Sequence, residues 1–203
     1  MSQAESNALG QAAKLFSNFV KRILLDNCNV EDRQFGKILE SLSMLGDFKS
    51  IIYRHNEFEM ESAKAIRWLL WKRVPYHLEE LRIEHCQMSP QTTAYLLDEL
   101  EHKSYLRKLV LVNVGLNEKC MTNLCSFIAT NKYIECLDVS WNRLMPDKWL
   151  GFLTHLEGDR RLRDVNLSWN QLLPTCKKAA QSVGAQQSKD AQLSRSLSQM
   201  KTQ

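Results

Sequence analysis

Apolar residues in this chain recur in one spaced pattern that appears six times. Written as L-x-x-L-x-L-x-x-N/C-x-L, with other apolar residues at some L positions, it begins at residues 20, 48, 78, 106, 134 and 162. The spacing is 28 residues except for one step of 30. Apolar positions alternate at the centre of each copy, which predicts a short β-strand.

Between these strands the apolar period changes from 2 to about 3.6 residues, which predicts a helix in each interval. Ser89 and Pro90 supply an N-cap and a first helical proline, and Asn117 precedes a further predicted helix. Another predicted helix opens at Pro146. Ile66 and its neighbours mark the helix upstream, where Trp68 is expected in the core and Trp71 on the outer surface.

Two copies are closely alike: Leu-Asp-Val-Ser-Trp-Asn-Arg-Leu at 137–144 and Val-Asn-Leu-Ser-Trp-Asn-Gln-Leu at 165–172. With the 28-residue period, they resemble the ribonuclease-inhibitor type of leucine-rich repeat over residues 20–184. The resemblance implies an α/β leucine-rich repeat solenoid of about six 28-residue repeats. It would form a horseshoe with a parallel sheet on the concave face. Such proteins include inhibitors, a Ran GTPase-activating protein, innate immune sensors and axonemal subunits, so the fold does not select one function.

The N/C positions of the pattern are expected to hold the frame. A buried asparagine amide at Asn56, Asn142 or Asn170 can satisfy backbone N–H and C=O groups of neighbouring repeats. Val114 interrupts this series, and we expect a looser turn there.

The two ends differ from the repeats. Residues 1–19 place Phe16 and Phe19 at helical spacing and are interpreted as a capping helix. A mitochondrial presequence is the alternative, and Glu5 disfavours it. Residues 185–203 form a polar, basic tail that we expect a neighbouring subunit to order.

The net charge of +4 resides in the segment after Pro174, and the repeats are electrically balanced. A nucleic-acid surface is therefore not predicted. No apolar run reaches the roughly 18 residues that a membrane span needs.

Six cysteines include no C-x-x-C pair, so free thiols and no zinc site are expected. Cys28 and Cys86 occupy N/C positions and are expected to point inward. Thiol usage favours a reducing compartment, and the predicted location is the cytoplasm.

Alternate strand residues point away from the core, toward the predicted concave face. They form columns across the repeats, and Ser140 and Ser168 belong to one of them. We expect protein partners to contact these columns and the column that follows each strand. The predicted partner-binding residues are Arg54, Arg82, Glu84, Val110, Val112, Asp138, Trp141, Asn166 and Trp169.

Two aromatic pairs occupy equivalent places in successive repeats. Trp141 and Trp169 either pack on each other or beneath the basic tail, or else anchor a partner, since tryptophan is enriched in binding hot spots. His55 and His85 lack a third ligand at useful spacing, which favours two solvated histidines over a metal site.

No nucleophile and base, paired carboxylates, phosphate loop or metal cluster rises above chance, so neither an enzyme nor a cofactor is predicted. Our hypothesis is a non-catalytic protein-interaction module, a structural adaptor in a larger intracellular assembly. An axonemal or cytoskeletal setting follows only from the resemblance. The alternative is a regulatory inhibitor or GTPase-activating protein, which would need an exposed arginine such as Arg54 or Arg82.

Overall fold

The computed structural model describes residues 20–42, 49–71, 78–103, 105–144 and 161–171, together with Ala4, Ala8, Gln11, Ala12 and Phe152. Strands and helices alternate along these ranges. The strands are β1 (Arg22–Asp26), β2 (Ser50–Arg54), β3 (Glu80–Glu84), β4 (Lys108–Val112), β5 (Cys136–Asp138) and β6 (Asp164–Asn166). The helices are α1 (Asp32–Leu42), α2 (Met60–Trp71), α3 (Pro90–Lys103) and α4 (Glu118–Thr130).

The six strands form one parallel sheet in chain order. Neighbouring strands pair at the sequence offset of the repeat, so that Leu25 lies opposite Tyr53, Tyr53 opposite Ile83, and Ile83 opposite Leu111. The predicted parallel α/β architecture is therefore confirmed, and the alternation of strands and helices is compatible with a leucine-rich repeat solenoid. The repeat count and the horseshoe shape stay predictions.

One face of the sheet packs against the helices and forms the core. Tyr53 is fully buried there, with its ring stacked on Phe35 at a centroid distance of 3.9 Å. Its hydroxyl donates to the carbonyl oxygens of Glu57 (2.8 Å) and Val30 (3.2 Å). Burial raises the pKa of Tyr53 far above its ordinary value, so the phenol stays neutral and its polar end is satisfied by backbone acceptors.

The asparagines of the N/C positions join successive repeats, as predicted. Asn142 Oδ1 accepts from the N–H groups of Val114 and Leu116, both at 3.1 Å, and Nδ2 donates to Leu111 O at 2.7 Å. Asn56 and Asn170 repeat this arrangement. One side chain thus satisfies the turn of the preceding repeat. Val114 occupies the same position without a side-chain amide. The turn of the preceding repeat there makes a backbone hydrogen bond from Met88 N–H to Val114 O at 3.0 Å.

Helix N-termini are stabilised across the same boundaries. Asp32 Oδ1 accepts from the N–H groups of Glu59 (2.8 Å) and Ser62 (2.9 Å), so it caps α2 from the preceding repeat. Glu59 in turn accepts from Ser89 N–H at 2.9 Å and from the Thr92 hydroxyl at 2.5 Å, at the start of α3. Carboxylates at these ends interact favourably with the helix dipole.

The predicted starts of two helices are confirmed. Ser89 Oγ accepts from Thr92 N–H at 3.2 Å, and α3 begins at Pro90. Asn117 Oδ1 accepts from Lys119 N–H at 3.0 Å, and α4 begins at the next residue.

The prediction that Trp68 lies in the core is wrong, because its side chain is 51% exposed. The buried side of α2 carries Ala63 and Ile66. At about 100° per residue, position 68 points roughly 200° away from position 66. Trp68 instead lines a groove of about 330 Å³ between α1 and α2 with Arg33 and Lys37.

The prediction that Cys28 and Cys86 both point inward is confirmed for Cys86, which is buried, and is wrong for Cys28, which is exposed. An N/C side chain points inward by reaching the turn of the preceding repeat, as Asn56 does. Cys28 belongs to the first repeat, and its thiol donates to Asp26 O at 3.3 Å within its own turn.

Several predicted features lie outside the described residues. These are the cap over residues 1–19, apart from four residues, the helix expected after Pro146, the Trp71 side chain and the tail over 185–203. The boundaries of the three predicted segments, 1–19, 20–184 and 185–203, stay predictions.

Replacing Asn142 with alanine should leave the N–H groups of Val114 and Leu116 buried without their acceptor. Each such group costs about 1–3 kcal/mol, so we expect the free energy of unfolding to fall by about 3 kcal/mol. Urea unfolding followed by circular dichroism measures the change. Asn123→Ala, a half-buried position on α4, serves as the control and should shift stability by less than about 1 kcal/mol. Equal losses in the two variants would contradict the frame role of Asn142.

Candidate interaction surface

The open face of the sheet is the side opposite the helices, lined by the outward residues of each strand. Most of the predicted partner-binding residues are half-buried side chains on it: Arg54, Arg82, Glu84, Val112, Asp138 and Asn166. Trp141 and Trp169 lie three residues beyond the ends of β5 and β6. The structure therefore brings these residues to one side of the sheet, while contact with a partner stays a prediction.

Val110 corrects the predicted set, because it is only 2% exposed. In the strand register it lies between Arg82 on β3 and Asp138 on β5. Its short side chain is flanked by these longer ones, which leaves little of it accessible to a partner.

Ser140 and Ser168 are also buried, although both belong to a predicted outward column. Strands β5 and β6 end two residues earlier, and the chain turns there. The N–H groups of the two serines donate to Asp138 Oδ1 (2.9 Å) and Asn166 Oδ1 (3.1 Å). These short turns remove both serines from the open face.

Across β1 to β4, charged side chains form an ion network, which we define as Arg22, Asp26, Arg54, Glu80, Arg82, Glu84 and Lys108. Glu84 Oε1 accepts from Arg82 Nε at 2.8 Å, and Arg82 Nη2 lies 2.7 Å from the same oxygen. Arg54 Nε is 2.9 Å from Glu84 Oε2 as an ion pair without hydrogen-bond geometry, and Arg54 Nη2 donates to Oε1 at 3.3 Å. One carboxylate thus holds two guanidinium groups.

Glu80 is the second acceptor of the ion network. It accepts from Ser50 Oγ at 2.6 Å and lies 3.6 Å from Arg22 and 3.7 Å from Lys108. The Glu80 and Glu84 side chains are only 15% and 13% exposed, so water screens these pairs weakly. The charges of β1 to β4 therefore satisfy one another.

The open face changes character at β5 and β6. Asp138 Oδ2 accepts from Asn166 Nδ2 at 2.9 Å, and Asp164 Oδ2 accepts from the Cys136 thiol at 3.6 Å. Burial, and secondarily the Asp164 carboxylate, raise the pKa of Cys136 to about 11, so this thiol is neutral near pH 7. We call Cys136, Asp138, Asp164 and Asn166 the acidic end of the open face.

A third column follows the strands, and we call it the rim: Asn27, His55, His85, Asn113, Trp141 and Trp169. All six residues have positive φ, between 49° and 60°. Their backbone continues the sheet ladder by one bond, for example from His85 N–H to Val112 O at 2.8 Å and from Trp141 N–H to Ser168 O at 3.0 Å. The left-handed conformation then turns the chain away from the sheet.

The two tryptophans of the rim stack on each other and still face solvent. Their ring centroids are 4.2 Å apart with an interplanar angle of 18°. Trp141 is 50% exposed and Trp169 is 37% exposed. Mutual packing, one of the two alternatives from the sequence, is therefore observed, and it leaves a broad aromatic surface accessible.

His55 and His85 stack in the same way, with ring centroids 4.6 Å apart and nearly parallel planes. Asn113 Nδ2 lies 3.1 Å from His85 Nδ1, which extends the contact to the next repeat. Among the residues that the structure describes, no group of three or more His, Cys, Asp or Glu side chains converges on a possible metal position. In the same ranges, no helix combines the length and apolar character needed to span a bilayer.

Comparison with known proteins gives limited support for the repeat type. No protein-family model matches the chain. The chain is similar to the NLR family CARD domain-containing protein 4 of Bos taurus, with 25% identity over 158 residues. The match covers 76% of this chain but only 16% of that protein. It supports a leucine-rich repeat type and does not distinguish the ribonuclease-inhibitor class.

Sequence reasoning missed the ion network and the conformation of the rim. The signal for the network was available, since Glu80, Arg82 and Glu84 alternate in charge along one strand and Arg54 and Lys108 occupy adjacent strands. The two asparagines and two histidines of the third column were the signal for positive φ, because both residue types adopt that conformation more often than most.

Replacing Glu84 with alanine should destabilise the fold, because Arg54 and Arg82 would lose their shared acceptor while remaining half-buried. We expect a fall of about 2 kcal/mol in the free energy of unfolding. Arg107→Ala is the control, since Arg107 forms an ion pair of similar length with Glu135 (2.7 Å) but is 59% exposed. That variant should lose under about 1 kcal/mol. Equal effects in chemical unfolding would show that the ion network adds nothing beyond a surface pair.

Alkylation of Cys136 should be slow at neutral pH and accelerate with alkali. Only the thiolate reacts, so the rate should rise about tenfold per pH unit until about pH 11, the pKa of this thiol. Iodoacetamide labelling followed by peptide mass spectrometry gives the rate for each cysteine. Exposed Cys28 is the internal reference and should be labelled first. Cys136 labelling as fast as that of Cys28 at pH 7 would contradict the burial of this side chain.

Proposed function

We propose that this chain is a non-catalytic protein-binding module whose partner lies on the open face at β5 and β6 and is anchored on the tryptophans of the rim. The observation that carries this proposal is the exposed stack of Trp141 and Trp169, held in a backbone conformation that bulky residues disfavour.

Tryptophan is not a residue that the backbone conformation of the rim favours. A non-glycine residue in the left-handed region costs about 1–2 kcal/mol, and asparagine is among those that tolerate it best. Asn27 and Asn113 occupy the same column. Residues held in a disfavoured backbone conformation are concentrated at functional sites. Large exposed aromatic side chains are also the residues most enriched in binding hot spots.

The remainder of the open face supports the same location. The ion network fixes the charged side chains of β1 to β4 in contact with one another, so engaging a partner there would disrupt existing pairs. The indole of Trp141 is 50% exposed and takes no part in these ion pairs.

Within this function, we favour an adaptor that holds neighbouring proteins together. The similarity to one region of a much longer bovine protein supports a repeat segment used for contact and does not extend that protein's activity to this chain. The intracellular setting, and the axonemal one in particular, stay predictions from the sequence. A free inhibitor remains the alternative that differs only in the size of the complex formed.

A GTPase-activating role is less well supported. It would need an arginine able to leave the surface and reach a nucleotide phosphate. Arg54 and Arg82, the two candidates, are both held by Glu84. Moving either would leave a half-buried carboxylate with one cation fewer.

Replacing both tryptophans with asparagine should weaken partner binding without loss of the fold. Asparagine suits the positive φ of the rim, so circular dichroism and thermal unfolding should show an intact protein. Affinity for a partner captured from the native cell extract should fall about 30-fold or more, equivalent to about 2 kcal/mol. Isothermal titration calorimetry with the purified partner measures the change.

A matched control removes another exposed aromatic pair. Tyr105 and Tyr133 pack at 5.0 Å and are 42% and 43% exposed, but they precede β4 and β5 at the opposite ends of the strands. Tyr105→Ala/Tyr133→Ala should keep the affinity. If the tryptophan variant binds within about twofold of the original chain, the rim is not the anchor.

A further inference from the structure

The charge distribution on the open face indicates what kind of partner its exposed aromatic end accepts. In β1 to β4, the cations Arg22, Arg54, Arg82 and Lys108 face the anions Asp26, Glu80 and Glu84 in ion pairs. At β5 and β6 the outward positions carry Asp138 and Asp164. Among the described residues, neither aspartate has an ion pair.

The bonds that these two aspartates make are all with neutral donors. Asp138 accepts from an amide N–H of Ser140 and from the Asn166 side chain, and Asp164 accepts from the Cys136 thiol. An ionised carboxylate can accept about four hydrogen bonds, so both groups keep capacity for a charged donor. These bonds position the two carboxylates, and none of the donors carries a positive charge.

Asp138 and Trp141 are close enough for one partner side chain to contact both. Asp138 pairs with Asn166 and Cys136 with Asp164, which makes the two aspartates diagonal neighbours with Cα atoms about 8 Å apart. Trp141 follows Asp138 by three residues, so their Cα atoms are at most about 10 Å apart. A cation above this part of the sheet can therefore interact with carboxylates and with an indole face together.

We infer that the acidic end and the tryptophan stack recognise a basic segment of a partner protein, which places an arginine side chain beside Asp138 and against the exposed indole of Trp141, with the charge of Asp164 on the adjacent strand. This inference rests on the proposed function and specifies the chemistry of its partner. Arginine fits better than lysine, because a planar guanidinium stacks on an aromatic ring while it donates two parallel bonds to a carboxylate.

The test uses a phage-displayed library of random 12-residue peptides, selected on the full-length chain at low salt. In parallel the library is selected on three variants. One is Trp141→Asn/Trp169→Asn, and the second is Asp138→Asn/Asp164→Asn. The third is Asp98→Asn/Glu118→Gln, which removes two exposed carboxylates from α3 and α4 as the matched charge control.

The expected result is a set of arginine-rich peptides that require both tryptophans. Synthetic versions should bind the aspartate variant at least about tenfold more weakly, and the charge control within about twofold. Replacing arginine with lysine in a selected peptide should also weaken binding. Affinity should fall as salt is raised, with a shallower dependence for the aspartate variant.

Other outcomes separate this inference from the function on which it rests. Selected peptides that need the tryptophans but lack basic residues, or that bind the aspartate variant equally well, would overturn the basic partner and leave the protein-binding rim intact. Failure to select any tryptophan-dependent peptide would count against both. Binding seen only after deletion of residues 185–203 would show that the chain's own basic tail is the occupant, which also overturns the inference.

Discussion

Hydrogen bonds between successive repeats are the interaction on which this structure depends. They begin in the parallel ladder, continue beyond the ends of the strands at the rim, and extend below the turns through the amides of Asn56, Asn142 and Asn170. All three layers require equivalent residues to lie side by side, which holds only when repeats have nearly equal length. The two extra residues of the 30-residue step fall outside the paired strand positions, since Arg54 still lies opposite Glu84.

The rim shows how this frame imposes a backbone conformation on the residues that we propose for partner binding. The last ladder bond and the turn that follows it together demand a positive φ, whatever side chain is present. Asparagine and histidine meet the demand on β1 to β4 and hydrogen-bond or stack along the column. On β5 and β6, the same backbone carries two indoles. The proposed anchoring surface therefore consists of two side chains placed on a repeated backbone conformation and needs no loop of its own.

The fold could be predicted from the sequence because its signal is repeated. Six strands, their parallel order and the starts of two helices follow from spacing and capping residues that recur in register. Predictions about single side chains were less reliable. The periodicity of α2, for example, does not show whether the face of the helix that carries Trp68 is buried. Val110 fails for a related reason: an outward position is exposed only if its neighbours across the strands are short. Pairing between columns, as in Arg54 with Glu84, requires the register that the structure supplies.

The two kinds of contact across each repeat boundary run in opposite directions. The start of α2 is capped by Asp32, which belongs to the preceding repeat. The turn after β4 is held by Asn142, which belongs to the following repeat. Deleting part of an internal repeat would consequently remove hydrogen bonds from both the preceding and the following repeat. Adding or removing repeats therefore costs the least stability when complete repeats are added or removed. Each capping carboxylate and each asparagine amide then meets equivalent backbone groups in its new neighbour.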